Sequence, residues 1–225
     1  MLLEIEKLVY GGDGLARLPA NGIGHRKAIF VPFVLEGEKV EASVVEENRG
    51  YARAKAEKIL EASAKRVEPQ CPYFQACGGC HYQHSSYEHQ LEAKAAILRE
   101  NLRRIAKIEL ETELVIHASP PWHYRNRTRL RLRSEAEFAL GYYRFNSHEL
   151  LPVENCPISS PLINRAIAEL WQAGRTNKLP REIDEIELFA DSEDQHLLIE
   201  AYCARGTTPE LAQQVGEALR DAVSR

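Results

Sequence analysis

Three cysteines within ten residues, Cys71, Cys77 and Cys80, are the part of this sequence best equipped for chemistry. The spacing Cys-x5-Cys-x2-Cys gathers three soft thiolate donors. Gly78-Gly79 lets the backbone fold tightly there and turn N–H groups toward sulfur, which stabilises negative charge. Three thiolates leave a tetrahedral or cubane site one ligand short. Cys156 is the natural fourth: like Cys71 it precedes a proline, and Asn155-Cys156-Pro157 reads as a loop between regular elements. Zinc and an iron–sulfur cluster both accept four thiolates; one tight triplet plus a remote Cys-Pro leans toward the cluster without excluding zinc. The competing reading, unrelated buried cysteines, fits poorly with Cys-Gly-Gly-Cys in a polar loop. Cys203, within the apolar run Leu197 to Tyr202, reads as a small buried hydrophobe. Five cysteines, an odd count, behind an acidic, alternating N-terminus unlike a signal peptide argue against a secreted disulfide framework.

The second feature is Tyr124-Arg125-Asn126-Arg127-Thr128-Arg129-Leu130-Arg131-Leu132-Arg133, which places five arginines at period two. On a strand they share one face while Leu130 and Leu132 take the other. A row of like charges needs anions, and phosphate suits the guanidinium fork. Two readings stand: contact with RNA phosphates, or pairing with acidic residues such as Glu135, Glu137 or Asp184 to Glu187. Trp122, His123, Tyr124, Tyr142 and Tyr143 flank the row and are either base-stacking platforms or core aromatics. Arg125, Arg127, Arg129, Arg131, Tyr124 and Lys27 are the candidate RNA contacts. No catalytic residue is assigned. The sequence has no Gly-x-Gly-x-x-Gly after a strand, no Walker sequence and no His-Glu-x-x-His, and Gly22-x-Gly24-His25 is a turn candidate only.

The elements that must position these groups follow from periodicity. Short alternating runs across the first sixty residues, with turns at Gly11-Gly12-Asp13-Gly14, Glu36-Gly37-Glu38 and Asn48-Arg49-Gly50, predict a small barrel of the oligonucleotide-binding (OB) type. Ser85-x-x-Glu88 predicts a capped helix whose apolar stripe is Tyr87, Leu91, Ala95, Leu98, Leu102 and Ile105. Strands follow to about residue 153. A helix opens at Ser160-Pro161, strands run near 184–190 and 196–203, and a last helix starts at Thr208-Pro209. The fold class expected is α+β: an N-terminal OB-like barrel over 1–62, then 63–225 as a cysteine segment plus a central domain with mainly antiparallel sheet.

Composition sets the bounds. In 225 residues, 44% are hydrophobic and 28% charged, an ordinary globular balance with material for a core. No apolar run reaches the roughly 18 residues needed to span a bilayer, so a cytoplasmic protein is expected. Net charge is -4, yet residues 71–133 carry 10 basic against 6 acidic side chains and residues 134–225 carry 8 against 16. A basic middle beside an acidic tail can still make a local anion-binding face.

The motifs resemble a known family. Val9-Tyr10-Gly11-Gly12-Asp13-Gly14-Leu15-Ala16-Arg17, Phe30-Val31-Pro32 and Gly37-Glu38-Lys39-Val40 resemble a TRAM domain, a small RNA-binding β-barrel. Cys71-Pro72-Tyr73-Phe74 to Cys77-Gly78-Gly79-Cys80, then Tyr82-Gln83-His84, Tyr87, Gln90-Leu91 and Lys94, resemble the iron–sulfur segment of TRAM-containing RNA (uracil-5-)methyltransferases. Tyr124-Arg125-Asn126-Arg127 and Leu140-Gly141-Tyr142-Tyr143 through Cys156-Pro157 continue the likeness into that family's central domain. The resemblance implies a [4Fe-4S] cluster on Cys71, Cys77, Cys80 and Cys156, RNA contacts from barrel and central domain, and ribosomal RNA as substrate. It also implies a C-terminal domain with the S-adenosylmethionine site and the catalytic cysteine. Those motifs are not found, so the expectation is an N-terminal portion, incomplete at its C-terminus and inactive alone. A monomer is expected, served by a separate catalytic half if the protein is split. The alternatives weighed are a self-standing RNA-binding module with a structural metal centre and a small electron carrier.

Overall fold

The computed structural model describes residues 1–18, 27–134, 137–203, 206 and 208–223. Gly22, Gly24, His25 and Glu135 lie outside them. The chain divides into two compact units, Met1–Gln75 with Cys80–Ala118, and Ala76–Gly79 with Ser119–Arg225. The barrel's unit also takes the helix after the cysteine segment, beyond the boundary expected at 62/63.

The first unit is built on strands β1 (Leu2–Glu4), β2 (Lys7–Leu8), β3 (Gly14–Arg17), β4 (Ala28–Val31), β5 (Lys39–Glu47) and β6 (Tyr51–Glu61), in the order β1-β5-β6-β4-β3-β2. β1 and β2 stand at opposite ends of that order yet are two residues apart. Ile5 N–H donates to Glu38 and Glu6 N–H to Leu15, so one bent stretch joins both edges and the sheet closes on itself. Register shifts between β5 and β6 supply the bend that closure needs. Leu3, Ile5, Ile29, Val31, Val40, Ala52 and Ala54 fill the interior. Gly11 and Gly12 at φ 96° and 94° make the β2–β3 turn that a Cβ would oppose.

Helix α1 (Tyr87–Asn101) starts one residue later than expected, with Ser86 rather than Ser85 capping the His89 N–H. Its buried face also differs from the expected stripe. Ala93 and Ile97 pack on Leu8 and Leu35 of the barrel's unit, while Leu98 and Ile105 stay 47% and 79% exposed. A π-helical turn, Leu102–Ala106, ends the helix.

The second unit holds a wholly antiparallel sheet, β11-β10-β7-β8-β9, from β7 (Arg127–Arg133), β8 (Ala139–Tyr143), β9 (Leu150–Pro152), β10 (Ile183–Ala190) and β11 (Leu197–Cys203). Helices α2 (Pro161–Arg175) and α3 (Pro209–Val223) cover one face. Leu130, Leu140, Ile163, Ile167, Leu170, Ile186 and Leu188 are fully buried there, each worth about 1.5–3 kcal/mol of transfer free energy. Ser160 caps α2 through the Ile163 N–H and Pro161 fills its first position, as the sequence predicts.

Candidate nucleic-acid interface

β7 alternates as expected. Thr128, Leu130 and Leu132 turn into the core, and Arg127, Arg129, Arg131 and Arg133 share the opposite face. The strand beside them supplies counter-charges. β10 places Glu187 opposite Arg129 and Glu185 opposite Arg131. Arg127 Nε donates to Glu187 at 2.6 Å, Arg129 pairs with Glu185 at 3.2 Å, and Arg131 lies 3.6 Å from Glu185 and 4.0 Å from Asp184. Arg129 also stacks on Tyr202, 3.6 Å from the ring centre, a cation–π contact no local sequence signal announced. Of the two readings of the row, acidic pairing is thus present for these three. Arg127 remains the most open of them, its side chain 65% exposed against 46% and 39%. Lys27, from the barrel, pairs with Glu47 at 2.6 Å.

The chain before β7 is a corner. His123 has φ 57°, its N–H donates to Pro157, and its Nδ1 lies 3.1 Å from the Ser159 carbonyl. Tyr124 is 53% exposed, and Arg125, half-buried, pairs its backbone with Ile158 and Ser160. Tyr142 is a core aromatic: its hydroxyl hydrogen-bonds Thr128 at 2.8 Å, and burial, then the charge of Cys156, pushes the phenol well above its ordinary range.

The cysteines divide between the units, Cys71 and Cys80 in the first, Cys77 and Cys156 in the second. Cys77 is tied to the β8–β9 hairpin: it bridges Arg144, Gly78 N–H donates to Tyr143, and Phe145 N–H donates to Ala76. The Cys77 sulfur accepts the Gly79 N–H at 3.4 Å, the kind of bond anticipated for the glycine pair. Cys156 is buried, with Asn164 of α2 holding its loop: Oδ1 accepts the Cys156 N–H at 2.8 Å, and Nδ2 donates to the Cys156 and Ser159 carbonyls. Asn164 escaped the sequence reading because its role depends on a turn eight residues earlier. Among the described residues, however, no three His, Cys, Asp or Glu side chains form a group able to hold a metal ion. Four thiolates are a donor set that either zinc or an iron–sulfur cluster takes. Cys203 packs against the core but is only partly buried, where the sequence predicts a buried residue.

The TRAM domain model matches residues 1–56, and the model of the tRNA (Uracil-5-)-methyltransferase family matches residues 86–224, more than half of the chain. The chain belongs to the tRNA (Uracil-5-)-methyltransferase family. An RNA methyltransferase of Aquifex aeolicus, otherwise uncharacterised, is 40% identical over 182 residues, 80% of this chain and 41% of that protein. The 23S rRNA (uracil(1939)-C(5))-methyltransferase of Histophilus somni is 33% identical, over 83% of this chain and 42% of its own length. The crystal structure of the Pyrococcus abyssi tRNA (uracil-54, C5)-methyltransferase with S-adenosyl-L-homocysteine superposes with a TM-score of 0.63 at 22% identity, over 95% of this chain and 48% of that one. The chain spans about two fifths of the length of these curated relatives.

One expectation is corrected. The sequence reading placed the methyltransferase portion outside this chain and called the chain inactive alone. Residues 86–224 match the methyltransferase family's own model, so the first statement is corrected, and neither inactivity nor a non-catalytic module has support. Among the described residues no helix is long and apolar enough to cross a membrane.

Proposed function

We propose that this chain serves C5 methylation of uridine in RNA, with S-adenosylmethionine as methyl donor and ribosomal RNA as substrate. The observation that carries the reading is the succession of matches along one chain, TRAM over 1–56 and methyltransferase family over 86–224. The ribosomal choice is supported by the activity of the Histophilus somni relative. Within the chain, Lys27, Tyr124, Arg125, Arg127, Arg129 and Arg131 are assigned to RNA. Exposed ion pairs contribute only about 0–1 kcal/mol, so a phosphate can take the place of a carboxylate on Arg127 or Lys27. Arg129, held between Glu185 and the Tyr202 ring, is the least available. Cys71, Cys77, Cys80 and Cys156 are assigned to a [4Fe-4S] cluster; spacing and the N–H donated to the Cys77 sulfur support it.

The test is mass-spectrometric mapping of 5-methyluridine in RNA from cells with and without the gene. Loss of one 5-methyluridine from ribosomal RNA, restored on complementation, is expected. Unchanged 5-methyluridine in every RNA overturns the activity, and a loss confined to transfer RNA overturns the choice of substrate.

A further inference from the structure

On the outer wall of the barrel two neighbouring aromatic side chains break the rule of apolar inside and polar outside, and an arginine stands beside them. In β4, Ile29 and Val31 are 1% and 0% exposed, which leaves Phe30 on the wall; in β6, Ala52 and Ala54 point inward and Tyr51 and Arg53 outward. β4 and β6 run parallel, with Arg53 opposite Phe30 and Tyr51 opposite Ala28, so the three converge. The Phe30 and Tyr51 rings meet edge to face, centroids 5.9 Å apart at 67°, and the Arg53 guanidinium stands 6.0 Å from the Phe30 centroid. Tyr51 is 37% exposed.

Cations rim these rings. Lys27 precedes the residue opposite Tyr51, and Arg49 is exposed in the β5–β6 turn, in no ion pair among the described residues. The carboxylates that pair with Lys27 and Arg53 at this rim, Glu47 and Glu46, are 72% and 51% exposed, and Asp13 completes the Arg53 set at 3.0 Å. Two rings bordered by ion pairs are too small and too polar a patch for an apolar protein partner, and the exposed Glu46 and Glu47 are carboxylates that a phosphate can displace. The rings match a nucleobase, which offers a flat π-face with an anion on either side.

We propose that Phe30, Tyr51 and Arg53 form a stacking platform for an unpaired base of single-stranded RNA, with Lys27 and Arg49 meeting the flanking phosphates. The proposal rests on the RNA reading given above and locates one contact point within it. The test uses the full chain and a short oligouridine carrying a single 2-aminopurine, whose fluorescence is quenched on stacking. Tyr51→Leu should weaken binding about tenfold and abolish the quench, with the salt dependence of affinity unchanged because no phosphate contact is lost. Tyr51→Trp should restore both, which separates stacking from damage to the strand. Wild-type affinity and quenching in Tyr51→Leu would overturn the platform alone. Failure of the unaltered chain to bind single-stranded RNA would overturn the underlying reading as well.

Discussion

Glu38, Arg66 and His84 show how much one buried cluster can fix. Glu38 is fully buried and accepts the N–H groups of Leu35 and Ser63 together with both Nε and Nη2 of Arg66, at 2.6 to 3.2 Å. Burial alone would raise its carboxyl, but the Arg66 bond and the two backbone donors hold it below the ordinary range. Arg66 also donates to the Phe33 carbonyl, at a residue with φ 61°. His84 lies against Phe74, its Nε2 3.2 Å from the Val34 carbonyl, and burial pushes the imidazole down to about 4. The folded state therefore keeps His84 neutral where the unfolded chain, near 6.5, takes up a proton. Stability from this group is complete above about pH 6.5 and is lost as pH falls toward 4, up to about 3 kcal/mol in all. Glu38 adds a further loss at still lower pH, where its own carboxylate protonates. Urea unfolding of the chain between pH 7.5 and 4.5 should show this slope, and His84→Gln should remove about one proton's worth of it. Equal slopes in both proteins would refute the assignment. In the sequence His84 and Glu38 were only members of a resemblance; nothing local marks which polar residues will be enclosed.

At the scale of elements, alternation was legible and partnership was not. The period of β7 put its arginines on one face from the sequence alone, yet only the pairing with β10 set acids opposite Arg129 and Arg131. In sequence helix α1 has one apolar stripe through Leu91 and Leu98, and the barrel's unit buries instead the face carrying Ala93 and Ile97. Strand packing gives Gly141 its role: a Cβ there would meet the Leu151 carbonyl and come within 2.8 Å of the Val153 nitrogen in and beside β9. Gly141→Ala should cost about 2–3 kcal/mol by forcing β8 and β9 apart. Gly216→Ala in α3 is the contrasting case. A Cβ there meets nothing within 4 Å, and the helix should gain about 0.5–1 kcal/mol. Chemical denaturation of the two variants checks both signs.

For the molecule as a whole, net charge was the poorest guide. A value of -4 conceals arginines concentrated on one strand, of which Arg127, Arg129 and Arg131 are each answered by a neighbouring acid. The division of four cysteines between two units is likewise invisible to spacing. The cluster assignment is tested on the intact chain purified without oxygen. About four iron and four sulfide per chain are expected, with Cys156→Ala losing them. A colourless, iron-free or zinc-loaded wild type would remove the cluster.

The sequence by itself determined the barrel, the antiparallel sheet, the capped second helix and the kinship to RNA methyltransferases. Each of these rests on periods of two or 3.6 residues, turn glycines and short motifs, all local along the chain. The tertiary structure alone decided which carboxylates meet the arginines, which face of α1 is covered and which aromatics remain on the barrel wall. Those are pairings between residues distant in the chain, set by register and packing, and no local pattern encodes them.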